Sequence, residues 1–248
     1  MAGADVSFFS TCIVDAVSGA VGRAAVRVLE RLGHRVTVVA GATCCGQPAW
    51  NSGFADEAAR VARTTLRALE EAGDGPVCLP SGSCATMIRV YWPEMFQLVG
   101  DRASATRAER LADRVVEFSE LAARGPRLPG KFPKRVAYHS SCHMTRELGI
   151  VDQPSGLLDG LEGCHRVAWA SDLCCGFGGT FAVKQPEISV AMADAKIDSL
   201  LASGAEVLVG CDQSCLLHLE GRMRRRGVAL PVRHLALVLD QAWEGPAT

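Results

Sequence analysis

Eight of the eleven cysteines in this 248-residue chain repeat themselves. Cys12 is followed by 31 residues and then Cys44-Cys45, and Cys142 is followed by 31 residues and then Cys174-Cys175. The offset is 130 positions for all three, and Cys215 follows Cys84 by 131. The flanks repeat as well. Ser10-Thr11-Cys12 parallels Ser140-Ser141-Cys142, Cys44-Cys45-Gly46 parallels Cys174-Cys175-Gly176, and Gly82-Ser83-Cys84 parallels Gln213-Ser214-Cys215. A register kept over such a span is the signature of a duplicated unit. Inert buried thiols explain a single cysteine well but give no reason for the register. Cys78, Cys164 and Cys211 stand outside it and read as packing thiols, Cys211 being the one that shares a short loop with a repeated cysteine.

The length suits two units of about 125 residues each. Residues 1–124 are expected to form the first repeat and 135–248 the second. The run Gly125-Pro126-Arg127-Leu128-Pro129-Gly130 opens a linker over 125–134. Within each repeat, short β-branched runs alternate with stretches of helical periodicity. In the first, Val6–Phe9, Arg35–Ala40 and Pro76–Leu79 read as strands, with helices over Asp15–Arg31, Phe54–Ala72 and onward from Ala85. In the second, Arg135–His139, Arg166–Ala170 and Glu206–Gly210 read as strands, with helices over Pro186–Leu201 and Leu216–Arg226. Arg102–Arg124 reads as one amphipathic helix. Alternation of this kind gives parallel βα units. The expected fold is therefore α/β: two pseudo-symmetric repeats of a small parallel-sheet unit, with the cysteines at the strand carboxyl ends. That edge is where open α/β sheets bind ligands.

Composition narrows the partners. Hydrophobic residues make up 48% and charged residues 21%, with a net charge of −1, so nothing draws the chain to nucleic acid or an anionic membrane. The basic run Arg222–Arg226 reads as a solvated helix end. No apolar stretch is long enough to span a bilayer, and Asp5 interrupts any secretory n-region. A cytoplasmic location is expected, where thiols stay reduced and many cysteines signal metal or redox chemistry.

Each repeat offers four thiolates: Cys12, Cys44, Cys45 and Cys84, then Cys142, Cys174, Cys175 and Cys215. Iron–sulfur clusters are held in this way. Gly46 and Gly176 allow a sharp turn after two adjacent ligands. Gly82 and Gly178-Gly179 are expected to bring amides close to the sulfurs. Two rivals remain open. Structural zinc favours C-x2-C pairs, and dithiol oxidoreductases favour C-x-x-C at a helix start; neither spacing occurs here. His139 and His143 flank Cys142 and could bond to or polarise a cluster. Gln47, Asn51 and Lys184 could line a pocket. No Walker loop, G-x-S-x-G or H-E-x-x-H motif is present.

These residues resemble the CCG cysteine-rich domain family. The strings are Cys-Cys-Gly-Gln-Pro-Ala-Trp-Asn-Ser-Gly (44–53), Pro-Ser-Gly-Ser-Cys (80–84), His-Met-Thr-Arg-Glu-Leu-Gly (143–149) and Cys-Cys-Gly-Phe-Gly-Gly-Thr-Phe (174–181). The domain occurs twice in the heterodisulfide reductase B subunit. It also occurs in iron–sulfur subunits of glycolate oxidase and anaerobic glycerol-3-phosphate dehydrogenase, and in lactate-utilisation proteins, which this chain resembles most. The resemblance implies one or two [4Fe–4S] clusters on the eight repeated cysteines and a role in NAD-independent oxidation of L-lactate to pyruvate. It also implies two partners: a larger iron–sulfur protein and a further lactate-utilisation subunit. Heterodisulfide reductases carry C-x-x-C in the last motif, whereas Ser81 and Asp212 hold those positions here. That departure fits four-thiolate sites and argues against the relative's disulfide chemistry. Trp50, Phe177 and Phe181 are candidates for a partner-docking area near the strand ends.

Overall fold

The computed structural model describes residues 3–244; the outermost limits expected for the two repeats, at residues 1 and 248, lie outside them. The first half runs β1 (Asp5–Phe8), α1 (Cys12–Val17), α2 (Gly19–Arg31), β2 (Arg35–Val38), α3 (Gln47–Trp50), α4 (Ala55–Glu71), β3 (Val77–Leu79) and α5 (Gly82–Thr86). A π-helical turn (Met87–Tyr91) leads into α6 (Trp92–Leu98), α7 (Arg102–Ala112), β4 (Val115–Glu117) and α8 (Phe118–Ala123). The second half runs β5 (Arg135–His139), α9 (Cys142–Arg146), α10 (Asp152–Asp159), β6 (His165–Arg166), α11 (Phe181–Lys184) and α12 (Pro186–Ala202). It ends with β7 (Val207–Gly210), α13 (Gln213–Arg225), β8 (Val232–His234) and α14 (Leu235–Glu244).

The sequence repeat becomes a structural one. The strands form two four-stranded sheets, ordered β2-β1-β3-β4 and β6-β5-β7-β8. Every pair is parallel: Val6 registers with Val36 and Ser7 with Val77 in the first sheet, and Val136 with Val207 in the second. Parallel strands need a crossover each, which the helices supply. The inner strands β3 and β7 are buried throughout, as sheets covered on both faces require.

Three sequence expectations change, the first being the strand expected over Arg166–Ala170, which is only the two residues of β6, His165–Arg166. The single helix expected over Arg102–Arg124 is α7, β4 and α8. Three residues are too few to show a period of two, and β4 exists because Val115 and Val116 are buried beside Val77 and Cys78. The helix expected over Asp15–Arg31 starts earlier, at Cys12, and breaks at Ser18. The elements β8 and α14 lie beyond the last helix that the sequence pattern suggests.

One core cluster is shared by both halves, joining Phe8, Val28 and Phe118 to Tyr138, Leu158 and Leu239. Each half also has its own, around Leu66, Trp92 and Phe96 in the first and Ile197, Leu208 and Leu216 in the second. Burying a side chain of this size contributes roughly 1.5–3 kcal/mol. Helix α4 turns Ala58, Ala62, Leu66 and Leu69 inward, the recurring three-to-four-residue spacing of an amphipathic helix. Within the 125–134 segment, Leu128 and Phe132 are buried in the shared core. The basic end of α13 is tied to α12: Arg222 and Arg226 pair with Asp194, and Arg226 with Asp198. No described helix is long and apolar enough to cross a membrane.

Candidate metal centre

All eight repeated cysteines line one cavity of about 160 Å³. They reach it from the carboxyl ends of adjacent strands. Cys12 follows β1, Cys44-Cys45 follows β2 and Cys84 sits in α5 after β3; Cys142, Cys174-Cys175 and Cys215 follow β5, β6 and β7 in the same way. Cys45, Cys84, Cys175 and Cys215 are buried, while Cys12, Cys44, Cys142 and Cys174 are half-buried. The three cysteines outside the register do not line the cavity. Cys78 is buried on β3, Cys164 packs at the edge of the shared core, and Cys211 receives the Tyr138 hydroxyl at 3.5 Å inside that core.

The sulfurs are close together. Cys12 and Cys44 Sγ are 3.6 Å apart, Cys45 and Cys84 Sγ 3.4 Å, and Cys175 and Cys215 Sγ 3.1 Å. Amides of Gly46 and Gly176 approach Cys44 and Cys174 Sγ at 3.4 and 3.5 Å. Hydrogen bonds from the Cys12 and Cys45 thiols, then the Gly46 amide, hold Cys44 far below the ordinary thiol range. Cys142, Cys175 and the Gly176 amide do the same for Cys174. The donating thiols Cys12, Cys45, Cys142 and Cys175 are pushed up, their bonds to Cys44 or Cys174 being the largest cause. Each group thus carries one ready thiolate, and a metal ion entering it would displace the remaining protons.

The glycine of each Cys-Cys-Gly has a measurable reason. Gly46 and Gly176 lie at φ 84° and 85°, where only glycine is free of strain. A Cβ on Gly46 would stand 2.8 Å from the Ala58 carbonyl oxygen, and one on Gly176 2.6 Å from that of Ser189. The paired cysteines are therefore pressed against α4 and α12. Gly82 serves a different purpose from the one expected: a Cβ there would meet Met144 Cγ at 2.0 Å, so its role is close packing of α5 on α9. Thr11, just before Cys12, has φ 66°, a strained position for a β-branched residue at the mouth of a binding site.

Three further residues hold the loops without any signal in composition. Thr65 accepts from the Thr43 amide at 3.1 Å and donates to the Cys44 carbonyl at 2.9 Å. Lys196, on the matching turn of α12, donates to the carbonyls of Ala170, Ser171 and Leu173 at 3.3, 2.8 and 2.5 Å, with its ammonium 4.6 Å from the Trp169 ring centre. Trp92 Nε1 donates to the Cys45 carbonyl at 2.8 Å.

Ser81 and Asp212 are helix N-caps. Ser81 Oγ accepts from the Cys84 amide at 3.3 Å. Asp212 accepts from the Ser214 amide at 3.2 Å and hydroxyl at 2.5 Å, and reaches across to the Ser83 amide at 2.8 Å. Each cap sets the helix that presents Cys84 or Cys215 at its third position, a role Ser and Asp fill well. Of the flanking residues, Gln47, Asn51, His143 and Phe177 line the cavity. His143 Nδ1 is 3.8 Å from Cys142 Sγ, and its Nε2 is 3.4 Å from Gln47 Nε2. Lys184 lies 5.1 Å above the Phe54 ring instead. Trp50 packs on Tyr91, with ring centres 6.2 Å apart. His139 is buried behind Cys175 and Cys215.

Residues 6–89 and 136–220 each match the family described as CCG, a cysteine-rich domain. The chain is 43% identical over 241 residues to lactate utilization protein A of Exiguobacterium sp., covering 96% of this chain and 97% of that one. It is 42% identical over 251 residues to the protein of the same name from Macrococcus caseolyticus (98% and 99% covered), and 41% over 239 residues to that from Geobacillus sp. (95% and 98%). A crystal structure of a hypothetical protein from Helicobacter pylori shares the fold with a TM-score of 0.67 at 11% identity. All of this chain is covered by that match, which spans 51% of the solved chain.

Proposed function

This chain belongs to the CCG cysteine-rich domain family, and from that premise we propose that it is an iron–sulfur electron-transfer subunit of a multi-protein system that oxidises L-lactate to pyruvate in the cytosol. The observation carrying this reading is the convergence of eight repeated cysteines on one cavity at the carboxyl ends of two parallel sheets. The relatives named lactate utilization protein A supply the substrate class. The donor set fits a cluster: thiolates only, backed by glycine turns and by amides directed at sulfur. Cys12, Cys44, Cys45 and Cys84 would hold one [4Fe–4S] centre, and Cys142, Cys174, Cys175 and Cys215 a second. Bound there, a cluster supplies one-electron transfer at a potential set by nearby hydrogen bonds, charge and exposure.

The chain's own residues set those conditions. The Gly46 and Gly176 amides stabilise thiolate charge, and Lys196 brings a cation beside the second group. Among the described residues lining the cavity none is Arg or Lys, the side chains that would grip a hydroxy-acid carboxylate. On this reading lactate is oxidised on a partner, and the chain alone is inactive. A larger iron–sulfur protein and a further subunit would dock beside the cavity, which Phe177 lines; Phe54 and Val183, three and four residues along the chain from the lining residues Asn51 and Gly179, are 52% and 81% exposed.

Two measurements test the reading. Protein purified without air should contain iron and acid-labile sulfide. Lactate oxidation with an artificial acceptor should need the partner proteins and be lost in Cys45→Ala and Cys175→Ala. Disulfide reduction by the isolated chain, with no lactate activity beside any partner, would reject the reading in favour of a heterodisulfide-type reductase. One observation favours a second reading. Sulfurs around a tetrahedral zinc with bonds of about 2.3 Å stand about 3.8 Å apart, near the separations of 3.1–3.6 Å seen here. Stoichiometric zinc with no sulfide would establish that reading.

A further inference from the structure

The second cysteine group has a neighbour that the first lacks. His139 ends β5 three residues before Cys142; Phe9 occupies the matching place before Cys12. His139 is 1% exposed, and neither ring nitrogen has a hydrogen-bond partner. One ring nitrogen, Cys175 Sγ and Cys215 Sγ all lie within 4.8 Å of one another. A neutral imidazole carries one unshared lone pair, and nothing within reach of this ring engages it. Leaving such a group buried without a partner is destabilising. Phe9 fills the matching place with no such penalty.

Resting on the metal-binding reading above, we propose that His139 gives a nitrogen ligand to the metal centre of the second group, beside Cys175 and Cys215, and takes the place there of one of the half-buried thiolates Cys142 and Cys174. The two centres then differ in kind, one all-thiolate and one mixed thiolate–imidazole. A neutral imidazole leaves a metal centre less negative than a thiolate does, which raises its reduction potential. The second centre is then the electron sink of the pair.

Pulsed EPR on the reduced, anaerobically purified full chain reads this directly. The expected result is a nitrogen coupling of the size given by a ligated imidazole, converted to the 15N pattern in protein grown with 15N-histidine. It should survive in His143→Gln and in Cys45→Ala, and be lost in His139→Phe. If His139→Phe does not fold, the labelled His143→Gln protein still decides the matter. Iron and sulfide at full content with only weak couplings, unchanged by labelling, would overturn the ligand assignment and leave the cluster reading standing. A protein with neither iron nor zinc would overturn both. Should the metal be zinc, X-ray absorption should show a nitrogen at about 2.0–2.1 Å among sulfurs at about 2.3 Å; an all-sulfur shell would refute the assignment.

Discussion

Replacing Gly176 by Ala isolates the contact that presses the second cysteine pair against α12. The residue lies at φ 85°, and a Cβ there would stand 2.6 Å from the Ser189 carbonyl oxygen and 3.1 Å from Met192 Cβ. Gly53 is the natural control, with φ 82° and open space for 4 Å around the position a Cβ would take. Both changes incur the left-handed penalty of roughly 1–2 kcal/mol. Both recover about 0.4–1 kcal/mol from the less flexible unfolded chain. Gly53→Ala should therefore destabilise by about 1 kcal/mol. Gly176→Ala adds an overpacking cost of roughly 1–3 kcal/mol, because the obstacle is backbone and cannot swing aside. The sum is about 2–4 kcal/mol. At about 2–4 °C per kcal/mol for a chain of this size, Tm should fall by about 4–15 °C. Thermal unfolding by circular dichroism, with metal content of the purified variants, gives both readouts. Metal should be lost from the second group and kept in the first, since the Ser189–Gly176 bond at 2.7 Å goes with the displaced loop. Equal Tm losses for the two variants would refute the reasoning.

Two more outcomes follow from buried groups. Cys78→Ala, Cys164→Ala and Cys211→Ala should leave metal content unchanged, whereas Cys45→Ala and Cys175→Ala should each lose one centre; equal losses across the panel would show that the ligands are misassigned. Glu117 is fully buried, its Oε1 has no partner, and burial raises its pKa to about 8. A folded-state value above the unfolded one gives stability that is complete below about pH 4.5 and is lost as pH rises toward 8, worth roughly 4 kcal/mol over three units. Denaturant midpoints at pH 5 and pH 8 should therefore converge in Glu117→Gln; an unchanged gap would exclude Glu117 as its source.

The repeat, the parallel sheets and the convergence of cysteines on strand ends are legible because each leaves a local trace. Cys-Cys-Gly can be read without a structure, since a left-handed turn beside a packed helix admits little else. What escapes the sequence pattern depends on tertiary context. The strand β4 is three residues inside a helical-looking run, and only its partner β3 makes it a strand. Lys196 reads as an ordinary charge on a helix, yet it is buried and holds three carbonyls of the cysteine loop. Gly82 reads as an aid to amide–sulfur contacts; the side chain that demands it, Met144, is 62 residues away in sequence. The offset arithmetic holds a further clue. Aligning the halves pairs Phe9 with His139 and Ser81 with Asp212, and a polar residue replacing an apolar or smaller one beside a ligand marks a point of divergence.

Those points of divergence make sense of why the duplicated unit remains one molecule. Neither half closes the cavity alone. Asp212 of the second half satisfies the Ser83 amide of the first, Thr86 of the first donates to the His143 carbonyl at 3.2 Å, and the Ser52 and Thr180 hydroxyls bond across the rim. Behind the sheets, Arg27 and Arg31 of α2 bind the Asp240 carboxylate on α14 at 3.0 and 3.1 Å. Two identical cysteine groups held this way would offer a bound metal the same surroundings. Substitutions at the framework positions, Phe9 against His139 and Thr65 against Lys196, leave the backbone and the eight cysteines in place while changing charge and donor type at one site only. A duplicated fold with diverged neighbours is thus a direct route from a symmetric scaffold to two cysteine groups in unlike surroundings.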